Sequence, residues 1–223
     1  MTRNNFKAIC HLKKISALSN LVMLAVIMIG GAVLGILLGD EGIDEIAVGD
    51  LIAIMICFFY LLVNQIIKVF VHADEVPRGL CFGMTRKVLF GYSRLADFIE
   101  ILIFAIAAII FSRTISINVI LKMACIVFGV IMLVEGIAGN GILRYGKTAF
   151  WVYYIVWLFS IIVVPRIISS NANAKDARGL IVDLVINNVY NQLFVWLGIV
   201  AFAVFALILN WITFRKIPVN TSI

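Results

Sequence analysis

Long apolar stretches recur along the whole chain and are separated by short polar segments. A helix that crosses a bilayer needs about 20 mostly apolar residues. Six stretches reach or approach this length and are predicted to be membrane-spanning helices: 16–38, 46–71, 95–112, 117–138, 150–168 and 192–214. The predicted fold class is therefore all-α, a polytopic membrane protein with a single transmembrane domain over residues 1–223.

Composition agrees with this pattern. Hydrophobic residues make up 64% of the chain and charged residues 13%. In an ordinary globular domain, roughly half of the residues are hydrophobic and about a quarter are charged. A soluble protein of this length could not bury so much apolar surface, so the expected solvent is lipid. We expect a multi-pass protein of a bacterial plasma membrane.

The distribution of charge predicts the orientation of the chain. The first connection, "GDEGIDEIAVGD" (Gly39–Asp50), has five acidic residues and no basic one. The opposite side holds 13 of the 18 basic residues: Arg3, Lys7, Lys13, Lys14, Lys68, Arg78, Arg86, Lys87, Arg94, Arg144, Lys147, Arg215 and Lys216. Because basic residues concentrate on the cytoplasmic side, both termini are predicted to be cytoplasmic. The net charge of +6 then reflects topology and gives no reason to expect a nucleic-acid partner.

Three segments outside the spans are amphipathic. Within 1–15, the stretch Asn4–Ile15 combines apolar residues with lysines at helical spacing and is predicted to lie flat on the inner leaflet. It has no small-residue cleavage site, so we do not expect a signal peptide. Residues 179–191 are too short and polar to span and are predicted to form a re-entrant or interfacial helix outside. The third, "RGLCFGMTRKVLFGYSRL" (Arg78–Leu95), has four basic residues and no acidic one.

Motifs for catalysis are weak. The stretch "GILRYGKT" (Gly141–Thr148) fits the P-loop pattern, but that loop needs a preceding strand inside a soluble sheet. We therefore interpret it as a Gly-rich cytoplasmic turn. The two histidines, His11 and His72, lie on cytoplasmic segments, and the four scattered cysteines form no CxxC pair. No enzyme activity, catalytic residue, cofactor or metal site is expected in this chain.

Charged residues inside spans are expensive and therefore informative. Lys68, Glu100 and Glu135 all lie toward the inner leaflet and could form one polar cluster. Lys122 lies near the outer end of its span, about 20 Å along the helix from Glu135, so these two cannot pair. The four residues either hold helices together as ion pairs or line a substrate path, and the sequence leaves both interpretations open.

Taken together, these segments are similar to a known family. Six spans, an N-terminal elbow helix (1–15), a basic cytoplasmic helix (78–92) and a helical insertion before the last span resemble the membrane subunit of type V ABC transporters. The local resemblance lies in "FGMTRKVLFGYSRLADF". Among these permeases, the chain looks most like small exporters of peptide toxins of the phenol-soluble modulin type, or antimicrobial-peptide immunity permeases. It departs from larger relatives in having no large extracellular domain.

The resemblance implies roles for particular segments. Residues 78–92 would be the coupling helix that docks on a separate ATPase subunit, and Gly139–Thr148 would be a second, smaller contact. The implied coupling residues are Arg78, Leu80, Phe82, Gly83, Thr85, Arg86, Lys87, Val88 and Leu89. ATP and Mg²⁺ would be bound by the partner ATPase. A second permease copy or paralogue, the bilayer and an amphipathic peptide substrate would complete the system.

Two other functions remain open. A substrate-binding membrane subunit of a vitamin importer also has six spans at this size, although it lacks a basic coupling helix. An immunity or scaffold protein that works without ATP would need no ATPase partner.

Overall fold

The computed structural model describes residues 3–39, 47–170, 179, 183–186 and 191–217. Within this part of the chain, every regular element is helical. The elements are α1 (Arg3–Gly39), α2 (Ala47–Cys81), α3 (Arg86–Phe111), α4 (Ile117–Val134), a π-helical turn (Glu135–Gly139), α5 (Asn140–Tyr145), α6 (Lys147–Ser170) and α7 (Gln192–Phe214).

Four segments are long and apolar enough to cross a membrane: His11–Leu34, Val48–Cys81, Ile117–Tyr145 and Gln192–Phe214. They indicate a membrane protein. The other two predicted spans also coincide with helices, but α3 carries charged side chains along its first half. In α6, the apolar segment Lys147–Val163 is shorter than each of these four segments. The number six therefore stays a prediction.

The main hydrophobic core joins α1, α2, α3, α4 and α7. Its buried side chains include Ile27, Ile52, Phe104, Ile131 and Ala206. Close approach of α7 to the π-helical turn depends on Gly136, where a Cβ atom would lie only 3.0 Å from the Cα atom of Asn210. These helices therefore pack as one bundle.

A second apolar cluster closes the end of the bundle at which α2 is followed by α3. It contains Leu12, Val76, Leu89, Leu143 and Phe214 from five different helices. We call this the α2–α3 end. The start of α1 and the end of α7 therefore lie beside the turn between α2 and α3.

At the opposite end, which we call the α3–α4 end, Asp50 fixes the connection between α3 and α4. Its carboxylate accepts hydrogen bonds from the hydroxyls of Ser112 and Thr114 and from the backbone N–H groups of Arg113 and Thr114. A carboxylate that accepts several N–H and O–H groups holds a short loop in one conformation.

Three predicted boundaries differ from the structure. α1 continues from Arg3 to Gly39 with no helix end near residue 15, so the predicted elbow helix is not a separate element. The predicted helix over 78–92 is interrupted, because α2 ends at Cys81 and α3 begins at Arg86. The predicted turn over 141–148 is mostly helical. Only Gly146, at φ 70°, breaks the helix there.

Two predicted segments fall largely outside the described residues. Residues 40–46, in the first connection, lie outside the described residues. Of the predicted outer helix, 179–191, the structure describes Gly179, Asp183–Ile186 and Asn191, and residues 183–185 are helical.

Candidate functional site

A network of buried acidic and basic side chains lies between α1, α2, α3 and the π-helical turn. It contains three cations and four anions: Lys13, Lys68, Arg94, Glu75, Asp97, Glu100 and Glu135. We call these seven residues the ionic network. Charges inside a membrane protein that face the bundle interior normally pair with one another, and each of the seven has such a partner.

Lys68 and Glu100 form the part of the network nearest the apolar core. The ammonium of Lys68, 2% exposed, lies 2.6 Å from Oε2 of Glu100 and 2.8 Å from Oδ1 of Asp97. The remaining oxygen of Glu100 accepts hydrogen bonds from the amide of Asn20 and the hydroxyl of Tyr60. Three helices are thereby joined at one carboxylate.

Asp97 is the centre of the network. Its Oδ1 accepts from Lys13 at 3.1 Å and from Lys68 at 2.8 Å, and its Oδ2 lies 3.5 Å from Arg94. Lys13 also pairs with Glu75 at 2.9 Å. Because only 1% of the Asp97 side chain is exposed, removal of any one cation would leave part of this negative charge uncompensated.

Arg94 extends the network to Glu135, with which it forms an ion pair. Glu135 is the first residue of the π-helical turn. Single π-helical turns inside α-helices are rare and occur frequently at functional sites. The pair therefore connects α3 to a point of irregular backbone in the neighbouring helix.

A chain of hydrogen bonds through uncharged side chains leads from Arg94 to α7. A guanidinium group only donates, so Nδ1 of His72, 3.2 Å away, accepts from Arg94. The other ring nitrogen, Nε2, then donates to Oδ1 of Asn140 at 3.0 Å. The amide of Asn140 donates to Oδ1 of Asn210 at 3.1 Å and to the hydroxyl of Thr213 at 2.8 Å. Polar contacts thus run continuously from α1 to α7.

The structure places the four predicted intramembrane residues in two locations. Lys68 and Glu100 are directly paired, and Glu135 joins them through Arg94 and Asp97. Lys122 is separate, as expected: its ammonium is fully buried and donates to the backbone oxygen of Val185 and the side chain of Gln192. What these residues contribute to function stays a prediction.

The predicted polar cluster lacked four of the seven residues of the ionic network: Lys13, Glu75, Arg94 and Asp97. Lys13 and Arg94 were counted only among the basic residues of the inner membrane face, but they pair with acids inside the bundle. A signal was available in α2, where Lys68, His72 and Glu75 have the i, i+4, i+7 spacing of one helix face. Polar residues at that spacing in an apolar helix indicate a polar stripe that faces other helices.

Local structure explains the motif "GMT" in the turn between α2 and α3. Gly83 has φ 75°, and its N–H donates to Leu80 O while the N–H of Met84 donates to Gly79 O. This is the Schellman pattern that ends helices at a glycine. Thr85 then caps the start of α3, since its hydroxyl accepts from the N–H of Val88.

The nine predicted coupling residues divide into exposed and internal ones. Leu89 is buried in the second apolar cluster, and Leu80 packs against it. The guanidinium of Arg86 donates to the backbone oxygen of Arg215, 2.6 Å away, just after the end of α7. The Leu89 side chain already fills a space between this chain's own helices, and its role as a coupling residue stays a prediction.

The exposed residues of the turn form a small surface at the α2–α3 end. Phe82 is 57% exposed, Lys87, Gly83 and Thr85 are exposed, and Arg78 is exposed and paired with Asp74 at 2.9 Å. Val88 is half-buried. Aromatic residues such as Phe82 are enriched at protein–protein interfaces.

Comparisons with protein-family models, with curated proteins and with solved structures found no match. Among the described residues, no group of three or more His, Cys, Asp or Glu side chains is arranged to hold a metal ion.

Proposed function

We propose that this protein is the membrane-spanning permease subunit of an ATP-driven exporter, and that it moves amphipathic peptides from the inner leaflet outward. A separate ABC ATPase subunit would bind ATP and Mg²⁺, and a second permease copy or paralogue would complete the path. The α2–α3 end and both termini would be cytoplasmic. In this proposal the outer segment 179–191 closes the far end of the bundle.

One observation carries the proposal. Helix α3 starts at the exposed turn and continues without a break into the ionic network. Arg94 and Glu100 lie about 12 and 21 Å along the helix from Arg86, at 1.5 Å per residue. A force applied to the exposed turn would therefore act on the ion pairs of Asp97 and Glu100 through one rigid element.

The mechanism would be a rigid-body displacement of helices. ATP binding would draw two ATPase subunits together and carry the α2–α3 turns with them. Because the ionic network has four acids for three cations, Lys13, Lys68 and Arg94 could exchange acidic partners as helices shift. Each arrangement would keep the buried charges paired, which the low dielectric of the interior requires.

The test is assembly with an ATPase partner. We expect wild-type protein, isolated gently from its native membrane, to bring down an ABC ATPase subunit. Lys87→Glu combined with Phe82→Ala should weaken this association at least tenfold, because a charge is reversed and an exposed aromatic contact is removed. Arg113→Glu at the α3–α4 end makes the same charge change and should leave assembly unchanged.

Arg86 is unsuitable for this test, since its substitution would also disturb the end of α7. Isolation of the wild-type protein without any ATPase, or unchanged assembly of the Lys87→Glu/Phe82→Ala variant, would contradict the proposal.

A further inference from the structure

The ionic network contains more acids than cations. If all its acids were ionised, the interior of the bundle would hold one net negative charge, because four carboxylates would face three cations. A buried charge without compensation is very unfavourable. The composition of the network therefore indicates that one more positive charge belongs to it.

His72 lies beside the network but does not supply this charge. Its Nδ1 accepts from the guanidinium of Arg94 at 3.2 Å, and its Nε2 donates to Oδ1 of Asn140 at 3.0 Å. A histidine ring that accepts at one nitrogen is neutral. A second proton on the ring would direct one cationic donor at another.

Three of the four acids have contacts that favour the ionised carboxylate. Glu100 accepts from three different donor groups. Asp97 is contacted by three cations, and Glu135 forms an ion pair with Arg94. Hydrogen bonds and opposite charges of this kind stabilise a carboxylate in its charged form.

Glu75 is the exception among the four acids. Its Oε2 lies 2.9 Å from the ammonium of Lys13, but the same ammonium also lies 3.1 Å from Oδ1 of Asp97. Its other oxygen, Oε1, is buried and has no hydrogen-bond partner among the described residues. Two carboxyl groups that share one cation repel each other, which favours a proton on the less well bound of the two.

The space around Glu75 restricts what can neutralise it. Oε1 has almost no accessible surface, so it leaves no room for a hydrated cation or an organic ligand, whereas a proton needs none. The side chains of Glu75 and Lys13 are 10% and 14% exposed. The adjoining residue Val76 belongs to the apolar cluster at the α2–α3 end, so exchange with water would occur at that end.

We propose that the ionic network binds one exchangeable proton on Oε1 of Glu75, and that this proton makes the network electrically neutral. Oε2 continues to accept from Lys13. Water at the α2–α3 end supplies the proton and takes it back when the pH rises, and only the O–H bond is formed or broken. The site is independent of the proposed export function, because it needs neither an ATPase nor transport.

Charged and titratable groups surround Glu75 on all the helices that contribute to the network. They are Lys13 on α1, Arg94 and Asp97 on α3, Lys68 and His72 on its own helix, and, through Arg94, Glu135 of the π-helical turn. Release of the proton would leave these groups with one uncompensated negative charge. The stability of the native state should therefore fall as the proton is lost.

Infrared spectroscopy tests the proposal directly, because a protonated carboxyl group has a C=O stretch that a carboxylate lacks. The purified full chain is studied in a detergent without ester groups, since esters absorb in the same region. We expect one such band at neutral pH, a shift of this band to lower frequency in D₂O, and its loss at alkaline pH.

Two variants assign the band. Glu75→Gln mimics the neutral side chain, so it should fold normally and lack the band. Asp74→Asn is the matched control, because Asp74 is the preceding residue, its side chain is 56% exposed and it pairs with Arg78 at the surface. This control should keep the band.

Unfolding equilibria give a second measurement. The equilibrium constant for unfolding of the wild type, relative to that of Glu75→Gln, should rise about tenfold per pH unit above about pH 5. The rise should stop at the pH at which the band disappears. The sign follows because the folded chain keeps a proton that the unfolded chain has already released. Asp74→Asn, relative to Glu75→Gln, should show the same rise.

Four results would overturn the inference. They are absence of the band in the wild type, persistence of the band in Glu75→Gln, failure of Glu75→Gln to fold, and a ratio of unfolding constants that does not change with pH. Stability that follows the sodium concentration in place of pH would assign the compensating charge to a metal cation.

Discussion

At the scale of single residues, the energetics of the site depend on charges that have no access to water. Asp97 is held by three cations, and Glu135 by Arg94. A buried ion pair adds little net stability, but a buried charge that loses its partner is strongly destabilising. The same network therefore tolerates paired changes far better than single ones.

Arg94→Met should lower the free energy of unfolding by about 3–5 kcal/mol, because Glu135 would lose its cation and Asp97 one of three. The double variant Arg94→Met/Glu135→Leu should recover much of this loss, since both charges of the pair are absent. Reversible unfolding in micelles, analysed as a double-mutant cycle, measures the coupling. Simple addition of the two single effects would show that the pair is not coupled.

Lys122 offers a second residue-scale prediction at the α3–α4 end. Its ammonium is fully buried and donates to Val185 O. Lys122→Met keeps the length of the side chain and removes these bonds, so the segment 183–186 should lose its attachment to α4. Hydrogen exchange measured by mass spectrometry should then accelerate at 183–186. Exchange in α3 serves as the internal control, and unchanged rates at 183–186 would refute the role of Lys122.

At the scale of helices, close packing at particular glycines determines how the elements meet. Gly49 in the first turn of α2 is the tightest described case. A Cβ atom there would lie 2.1 Å from the backbone oxygen of Phe111 at the end of α3. Asp50, the next residue, binds the loop that follows α3. The start of α2 can hold this loop only because Gly49 has no side chain.

Gly49→Ala should therefore destabilise the protein by about 1–3 kcal/mol, the usual range for overpacking. Gly30→Ala in α1 is the matched control, because a Cβ atom there has no neighbour within 4 Å. This control should be neutral or stabilising by up to about 1 kcal/mol, since alanine favours a helix over glycine. Thermal unfolding in the same detergent compares the two, and equal effects would contradict the packing argument.

At the scale of the whole molecule, the two ends of the bundle should face opposite sides of the membrane. Four helices are long and apolar enough to cross it. Exposed basic residues of the turn between α2 and α3 predict that the α2–α3 end is cytoplasmic. Cys81 is exposed beside that turn, and Arg113 is exposed at the other end.

A membrane-impermeant maleimide checks this arrangement in a chain that retains Cys81 alone. We expect labelling in inside-out vesicles and none in intact cells. Arg113→Cys in a cysteine-free background should show the reverse. Labelling of both cysteines from one side would refute the predicted topology.

The sequence alone indicated where the helices lie, because runs of about 20 apolar residues permit few other structures in lipid. It also indicated that Lys68, Glu100 and Glu135 lie toward the same leaflet and could form one polar cluster, since isolated charges at membrane depth are unfavourable. The turn at Gly83 and Thr85 was not predicted, because the basic amphipathic segment was interpreted as one helix from 78 to 92.

Only the tertiary structure decided which charges enter the bundle. In the sequence, Lys13 and Arg94 are surrounded by the same kinds of residues as basic side chains that lie at a membrane surface. In the folded chain, both side chains face the interior of the bundle and contact Asp97. Leu89 also packs against this chain's own helices, and an amphipathic face in a sequence does not specify what covers it. Helix positions follow from local hydropathy, whereas the facing of each side chain depends on how neighbouring helices pack.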